Sequence, residues 1–186
     1  VKKTDTNKLI LTALFAALTA VGAFIRIPMP FVPVTMQTMF VSFAGIFLGP
    51  FYGAMSQLVY ITVGLSGIPV FAQGGGPSYI FQPSFGFLTG FVFASYAMGR
   101  IFEALKKEAT FKNLFMVSTA GQVVIYAFGL PYLYFINNLY LNKPMPLDKL
   151  LYFGTSLFFV SGGITVFVVS YISVIVYPRI RKFIAR

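Results

Sequence analysis

Charge is confined to a few short stretches of this chain, and long apolar runs lie between them. Residues 27–99 contain no Lys, Arg, Asp or Glu, and neither do residues 113–142 or 150–178. Uncharged apolar runs longer than about 18 residues read as membrane-crossing helices. Divided at prolines, glycines and polar connections, the pattern predicts six spans, at residues 9–26, 34–48, 52–65, 83–102, 113–138 and 150–177. The expected fold class is therefore an all-α integral membrane protein, with six transmembrane helices in one domain over residues 1–186. Two prolines, Pro28 and Pro30, stop the first span, since proline lacks the N–H that a helix needs. Gly49-Pro50 separates the second span from the third. These two are short: a helix of about 14 residues covers ~21 Å of a ~30 Å hydrocarbon core. Irregular chain must extend them, or they must border a cavity. The stretch 66–82, SGIPVFAQGGGPSYIFQ, cannot be one continuous helix. Pro83 suits the first turn of the fourth span, and Gly129-Leu-Pro131 predicts a kink in the fifth. The opening VKKTDTNK and the apolar run after it have the outline of a signal peptide. The run is long, however, and more spans follow, so it reads as a first helix that stays.

Charge then orients the spans. An even number of crossings puts both termini on one side. Of the 14 Lys and Arg residues, eleven fall on that side and three, Arg26, Lys143 and Lys149, on the other. The positive-inside rule makes the rich side the cytoplasm. The expected location is the cell membrane, multi-pass, with the glycine-rich segment 73–79 facing outward. A net charge of +10 would suggest nucleic acid in a soluble protein. Here the cations flank apolar spans, so they report topology, and no nucleic-acid partner is expected; membrane lipid is.

Composition removes several classes of chemistry. The chain has no Cys and no His, which leaves no disulfide framework, no thiol catalysis and few metal options, so no metal and no cofactor are expected. The four carboxylates are Asp5, Glu103, Glu108 and Asp148, three on the inner side and one in an outer loop. No acid pair lies within a span to serve hydrolysis or proton relay, so the chain is not expected to be an enzyme.

The candidate chemistry is polar and sparse. Gln73, Gly74, Gly75 and Tyr79 belong to the external Gly-rich segment, which either cradles a ligand with exposed N–H groups or simply connects two spans. Gln37, Gln82 and Asn137 are among the amides in or beside apolar spans, where amides line cavities or glue helices together. Arg26, at the outer end of the first span, either pairs with a carboxylate or anchors in headgroups. Ala13 with Ala17, and Ala16 with Ala20, form two small-xxx-small pairs that let another helix approach, from this chain or from a partner. Phe and Tyr make up 18% of the chain, enough for interfacial belts and for aromatic walls around a flat ligand.

Four strings, read together, carry a resemblance. They are Pro33-Val-Thr-Met-Gln37-Thr, Leu48-Gly-Pro, Gly64-Leu-Ser-Gly-Ile-Pro-Val-Phe71, and Gln82-Pro-Ser-Phe-Gly-Phe-Leu-Thr-Gly-Phe91. In this order they resemble the BioY family, the biotin-specific S components of energy-coupling factor (ECF) vitamin transporters. The resemblance implies a six-helix fold with the vitamin held near the outer face, under the loop between the third and fourth helices. It also implies partners: a transmembrane coupling subunit and two cytoplasmic ATPases, with the alanine strip of the first helix as the docking surface. Family members usually carry Pro-Gly-Asp in the sixth helix and a Lys three residues after the Asp. Those positions are Gly163 and Val166 here. The resemblance thus implies biotin, with a related ring-plus-acid vitamin such as lipoate as the alternative ligand. A stand-alone carrier is the rival reading of the transport role.

Overall fold

The computed structural model of the chain describes residues 3–29 and 31–184. Of the residues used above, Lys2, Pro30 and Arg186 lie outside that range. The helices are α1 (Lys3–Phe24), α2 (Gln37–Leu48), α3 (Pro50–Leu65), α4 (Phe85–Ala104), α5 (Phe111–Phe135), α6 (Leu147–Leu157) and α7 (Gly163–Ile184). A π-helical turn, Ile136–Tyr140, extends α5, and another, Phe158–Gly162, joins α6 to α7 into one pass. Among the described residues, four stretches are long and apolar enough to cross a membrane: Thr6–Phe24, Phe85–Ala104, Phe111–Tyr140 and Leu147–Lys182. The helix Gln37–Leu48 is apolar but shorter. The expected six-pass architecture is thus present, with two short members.

The elbow between the short helices follows from two residues. Gly49 sits at φ 81°, a conformation that strains other residues, and Pro50 opens α3, where its missing N–H costs nothing. Both short helices then press on α4. A Cβ added at Gly45 would stand 2.5 Å from the Ser95 carbonyl oxygen, and one at Gly53 would stand 2.7 Å from the Ser95 hydroxyl. Small residues let three backbones converge, as expected where lipid supplies no hydrophobic drive between helices. Phe47, Phe102 and Tyr177 fill the end of the bundle that carries Lys8 and Arg181, with the Phe102 and Tyr177 rings 5.0 Å apart, edge to face.

The outward faces are apolar. Phe24, Phe93, Phe167 and Tyr171 are all more than half exposed. Such surfaces on several helices are solvated by lipid rather than water.

Three details depart from the sequence-based expectation. The linker after α1 is not plain coil: β1 (Arg26–Ile27) and β2 (Val34–Thr35) pair antiparallel, with Arg26 opposite Thr35. The Met36 N–H closes this hairpin against the end of α1 by reaching the Gly22 and Ile25 carbonyls, each at 3.2 Å. The second span therefore begins at Gln37, not at residue 34. The fifth helix runs through Pro131, and its irregularity comes later, at the π turn, where the Leu141 N–H donates to the Ile136 carbonyl at 2.9 Å.

Candidate ligand-binding site

The glycine-rich segment between α3 and α4 is a folded cap. Phe71 and Gly74 exchange two backbone hydrogen bonds, of 2.8 and 3.2 Å, around a tight turn with Gln73 exposed at its tip. Gly74 at φ 122° and Gly76 at φ 100° supply the left-handed backbone that this turn needs. The Gly76 N–H then donates to the Gly64 carbonyl at 2.7 Å, tying the cap to the last turn of α3. The short 3-10 turn Pro77–Phe81 returns the chain toward α4. Phe71 is the wedge beneath the cap. It is 1% exposed, and its ring lies 5.4 Å from that of Tyr60 and 4.5 Å from that of Tyr79.

Under the cap and the hairpin lies a chamber of about 60 Å³. Thr35 and Gln37 border it on one side, Tyr79 and Ser84 on another, Phe87 and Phe91 from α4, and Tyr126 and Ser161 from the far helices. Gln37 is 4% exposed and tightly held. Its Oε1 accepts from the Thr35 hydroxyl at 2.9 Å, and its Nε2 donates to the Tyr60 hydroxyl at 2.5 Å. The Tyr60 hydroxyl donates in turn to the Val70 carbonyl at 3.0 Å, so the network ends at the base of the cap. A carboxamide has two donors and two acceptor lone pairs. These bonds use one of each and leave one of each for a ligand. The Tyr79 hydroxyl meets the Ser84 hydroxyl at 3.0 Å. Burial pushes the Tyr79 phenol up, so it stays a neutral donor. None of the residues lining the chamber carries a charge.

At 60 Å³ the chamber alone is smaller than the roughly 300 Å³ at which small-molecule sites begin. Two spaces adjoin it. An outer depression of about 660 Å³, bordered by Arg26, Pro33, Ala72, Gln73 and Gly74, shares Pro33 and Ala72 with the chamber. A side groove of about 310 Å³ shares Val34, Thr35 and Ser161.

The site residues expected from sequence are distributed among these spaces. Gln37 and Tyr79 line the chamber, while Arg26, Gln73 and Gly74 line the outer depression. Gly75 packs the cap on itself: a Cβ there would fall 2.3 Å from the Ile68 carbonyl oxygen. Gln82 stands exposed beyond the 3-10 turn, and Ser84 takes the position beside Tyr79. Asn137 is buried, but its amide donates to the Leu133 carbonyl of its own helix at 2.8 Å. Gly163 faces outward, with nothing within 4 Å of an added Cβ. These last three positions line none of the three spaces. Ser84, Tyr126 and Ser161 line the chamber without having been expected to. The four alanines, Ala13, Ala16, Ala17 and Ala20, line one shallow apolar groove against Val59 and Val63 of α3. Ala13 and Ala17 are exposed, and Ala16 is buried.

The family model described as the BioY family matches residues 1–184. The chain belongs to the BioY family. A probable biotin transporter BioY of Lysinibacillus sphaericus is 48% identical over 141 residues, which cover 76% of this chain and 71% of that protein. The biotin transporter BioY of Thermotoga maritima is 35% identical over 137 residues, 73% of this chain and 77% of its own length. Among solved structures, the S-component for biotin from an ECF-type ABC transporter superposes with a TM-score of 0.80 at 25% identity, covering 98% of this chain and 94% of that one. BioY membership and the apolar helices together make this a multi-pass membrane protein. The BioY relationship also gives the polar network and its cap a context, since transporters of small molecules need an enclosed site that can open.

Proposed function

We propose that this chain is the biotin-capturing S component of an ECF-type importer, with the chamber beneath the Phe71–Tyr79 cap as its binding site. The single observation behind this reading is the Gln37 network. A biotin ureido group presents N–H donors and a carbonyl acceptor, and the buried carboxamide offers one unused acceptor and one unused donor to match them. Around it, Phe87, Phe91 and Tyr126 give apolar faces suited to a sulfur-containing ring. Tyr79 closes the chamber from above, and Arg26 is the outer-face cation for the acid. Gln73, Gly74 and Gly75 shape the cap that must lift and reseat during capture.

The cap faces the outside and both termini face the cytoplasm in this reading, in line with the excess of cations at the termini and the α4–α5 connection. The chain hydrolyses no ATP itself. A transmembrane coupling subunit and two ATPases supply the energy, with the alanine groove of α1 as the contact to the coupling subunit. An impermeant thiol reagent on intact cells tests the orientation, because the chain has no native Cys. Gln73→Cys should label from outside, and labelling only after lysis would reverse the topology.

Equilibrium binding of labelled biotin to the purified chain tests the ligand, with unlabelled biotin and lipoate as competitors. Biotin is expected to displace the label and lipoate is not. Absence of biotin binding up to millimolar concentration overturns the assignment, and displacement by lipoate at lower concentration than biotin replaces it.

A further inference from the structure

At the end of the bundle opposite the cap, a pocket of about 280 Å³ lies between α1, the α2–α3 elbow, α4 and α7. Phe47 and Phe102 give it apolar walls. Three cations from three elements border it: Lys8 of α1, Lys107 just after α4, and Arg181 of α7. Lys107 gets there through an uncommon turn. Lys106 and Lys107 both take left-handed backbone, at φ 54° and 56°, and the Lys107 N–H folds back to the Phe102 carbonyl at 3.0 Å. The Lys107 ammonium then pairs with Glu103 at 3.3 Å, and Arg100 holds the other oxygen of that carboxylate at 3.5 Å. Among the described residues no carboxylate pairs with Lys8 or Arg181. Tyr177 adds a donor. It is 6% exposed, its ring packs on Phe47 and Phe102, and its hydroxyl lies within electrostatic reach of Arg181. That hydroxyl has no hydrogen-bond partner among the described residues, a costly state for a buried donor.

We propose that this pocket binds the phosphodiester headgroup of an anionic glycerophospholipid. A phosphodiester carries one negative charge and oxygens that only accept, the complement of two unpaired cations and an idle hydroxyl donor. Depth favours a lipid over a soluble phosphate. The spans run over Thr6–Phe24, Phe85–Ala104 and Leu147–Lys182, so Lys8, Glu103 and Arg181 all lie in terminal turns, where hydrocarbon gives way to headgroups. Apolar surface continues from the same level. Leu9 and Ile10 follow Lys8, Phe51 follows the elbow, and all three are more than half exposed. A lipid can set its headgroup among the cations and lay its chains on these residues, while free phosphate gains the polar contacts alone. A zwitterionic lipid brings a cation of its own to a pocket that already has three against one carboxylate. Basic pockets between transmembrane helices recognise anionic headgroups in this way. In the topology proposed above the lipid belongs to the cytoplasmic leaflet. The inference does not depend on which ligand the chamber holds.

Native mass spectrometry of the purified full chain in a non-ionic detergent counts each bound lipid. Phosphatidylglycerol and phosphatidylcholine with the same acyl chains are the probes. The wild type is expected to bind its first phosphatidylglycerol about 25-fold more tightly than phosphatidylcholine, about fivefold for each unpaired cation. Lys8→Gln with Arg181→Gln should remove that preference. Lys8→Arg with Arg181→Lys, which keeps both charges, should retain most of it. Arg179→Gln with Lys182→Gln, which removes two cations of α7 that do not line the pocket, should retain it too. Tyr177→Phe should weaken phosphatidylglycerol by about fivefold. Equal binding of the two lipids by the wild type overturns the proposal. So does a preference that survives Lys8→Gln with Arg181→Gln, or one that disappears in the Arg179 and Lys182 variant. Displacement of phosphatidylglycerol by micromolar glycerol 1-phosphate would assign the pocket to a soluble phosphate instead. If Lys8→Gln with Arg181→Gln keeps the lipid preference but no longer co-purifies with the coupling subunit, the pocket is a protein contact and the proposal fails.

Discussion

Adding one methyl group at Gly64 should open the cap without touching the chamber. A Cβ there would sit 2.0, 2.3 and 2.6 Å from three atoms of the Phe71 ring. Carbon atoms in contact settle near 3.5–4.0 Å, so the ring would have to move by about 1.5 Å. It has little freedom to do so, because Tyr60 and Tyr79 hold it on either side. Inserting a methyl group into a packed core costs about 1–3 kcal/mol. The strain is relieved when the cap lifts, so it falls on the closed, ligand-holding state. At 1.4 kcal/mol per tenfold, Gly64→Ala is expected to weaken biotin binding by about 5- to 150-fold. Equilibrium binding on purified protein measures this, with a thermal melt to separate weak binding from poor folding. The compensating variant Phe71→Leu removes the clashing ring atoms, and on the Gly64→Ala background it should recover part of the loss. Wild-type affinity in Gly64→Ala, or a double variant no better than the single one, would refute the view that Phe71 holds the cap shut.

Gln37→Leu should reduce biotin affinity by about 10- to 100-fold, since it removes the unused donor and acceptor and leaves the Thr35 hydroxyl proton without its acceptor. Gln82→Ala, at an exposed position, should change affinity less than twofold in the same titration. In the alanine groove, Ala13→Trp with Ala17→Trp should abolish biotin uptake by cells expressing the coupling subunits while leaving binding to the purified chain intact. Intact uptake would remove the groove from the docking surface.

Membrane folding made much of this architecture legible. Lipid forbids unpaired backbone, so long uncharged runs had to be helices, and Gly49-Pro50 had to be a break. Gln37 was legible for a related reason: an amide at the mouth of an apolar span is costly unless it is bonded. Its partners were not. Tyr60 lies 23 residues away and reaches Gln37 only because α2 and α3 fold back at the Gly49 elbow. The β1–β2 pair has two residues per strand, too few for any alternating pattern to show.

In the sixth pass the facing of Gly163 has a physical reason that the string does not reveal. Alignment with the family's Pro-Gly-Asp puts Gly163 at the position of the Asp, but a π turn intervenes at Phe158–Gly162. Such a turn inserts a residue into the α-helical ladder and rotates everything beyond it by about a quarter turn. Ser161 consequently borders the chamber, Gly162 is buried near the Gln122 side chain, and Gly163 turns outward. Nothing in the string FFVSGGI distinguishes a π turn from a regular one. π turns are frequent at functional sites, and this one sits where the chamber meets the side groove. The irregularity that turns Gly163 outward also puts Ser161 on the wall between the chamber and the side groove. A chamber of 60 Å³ must widen to take a vitamin, and this wall is one of the two places where a neighbouring space adjoins it.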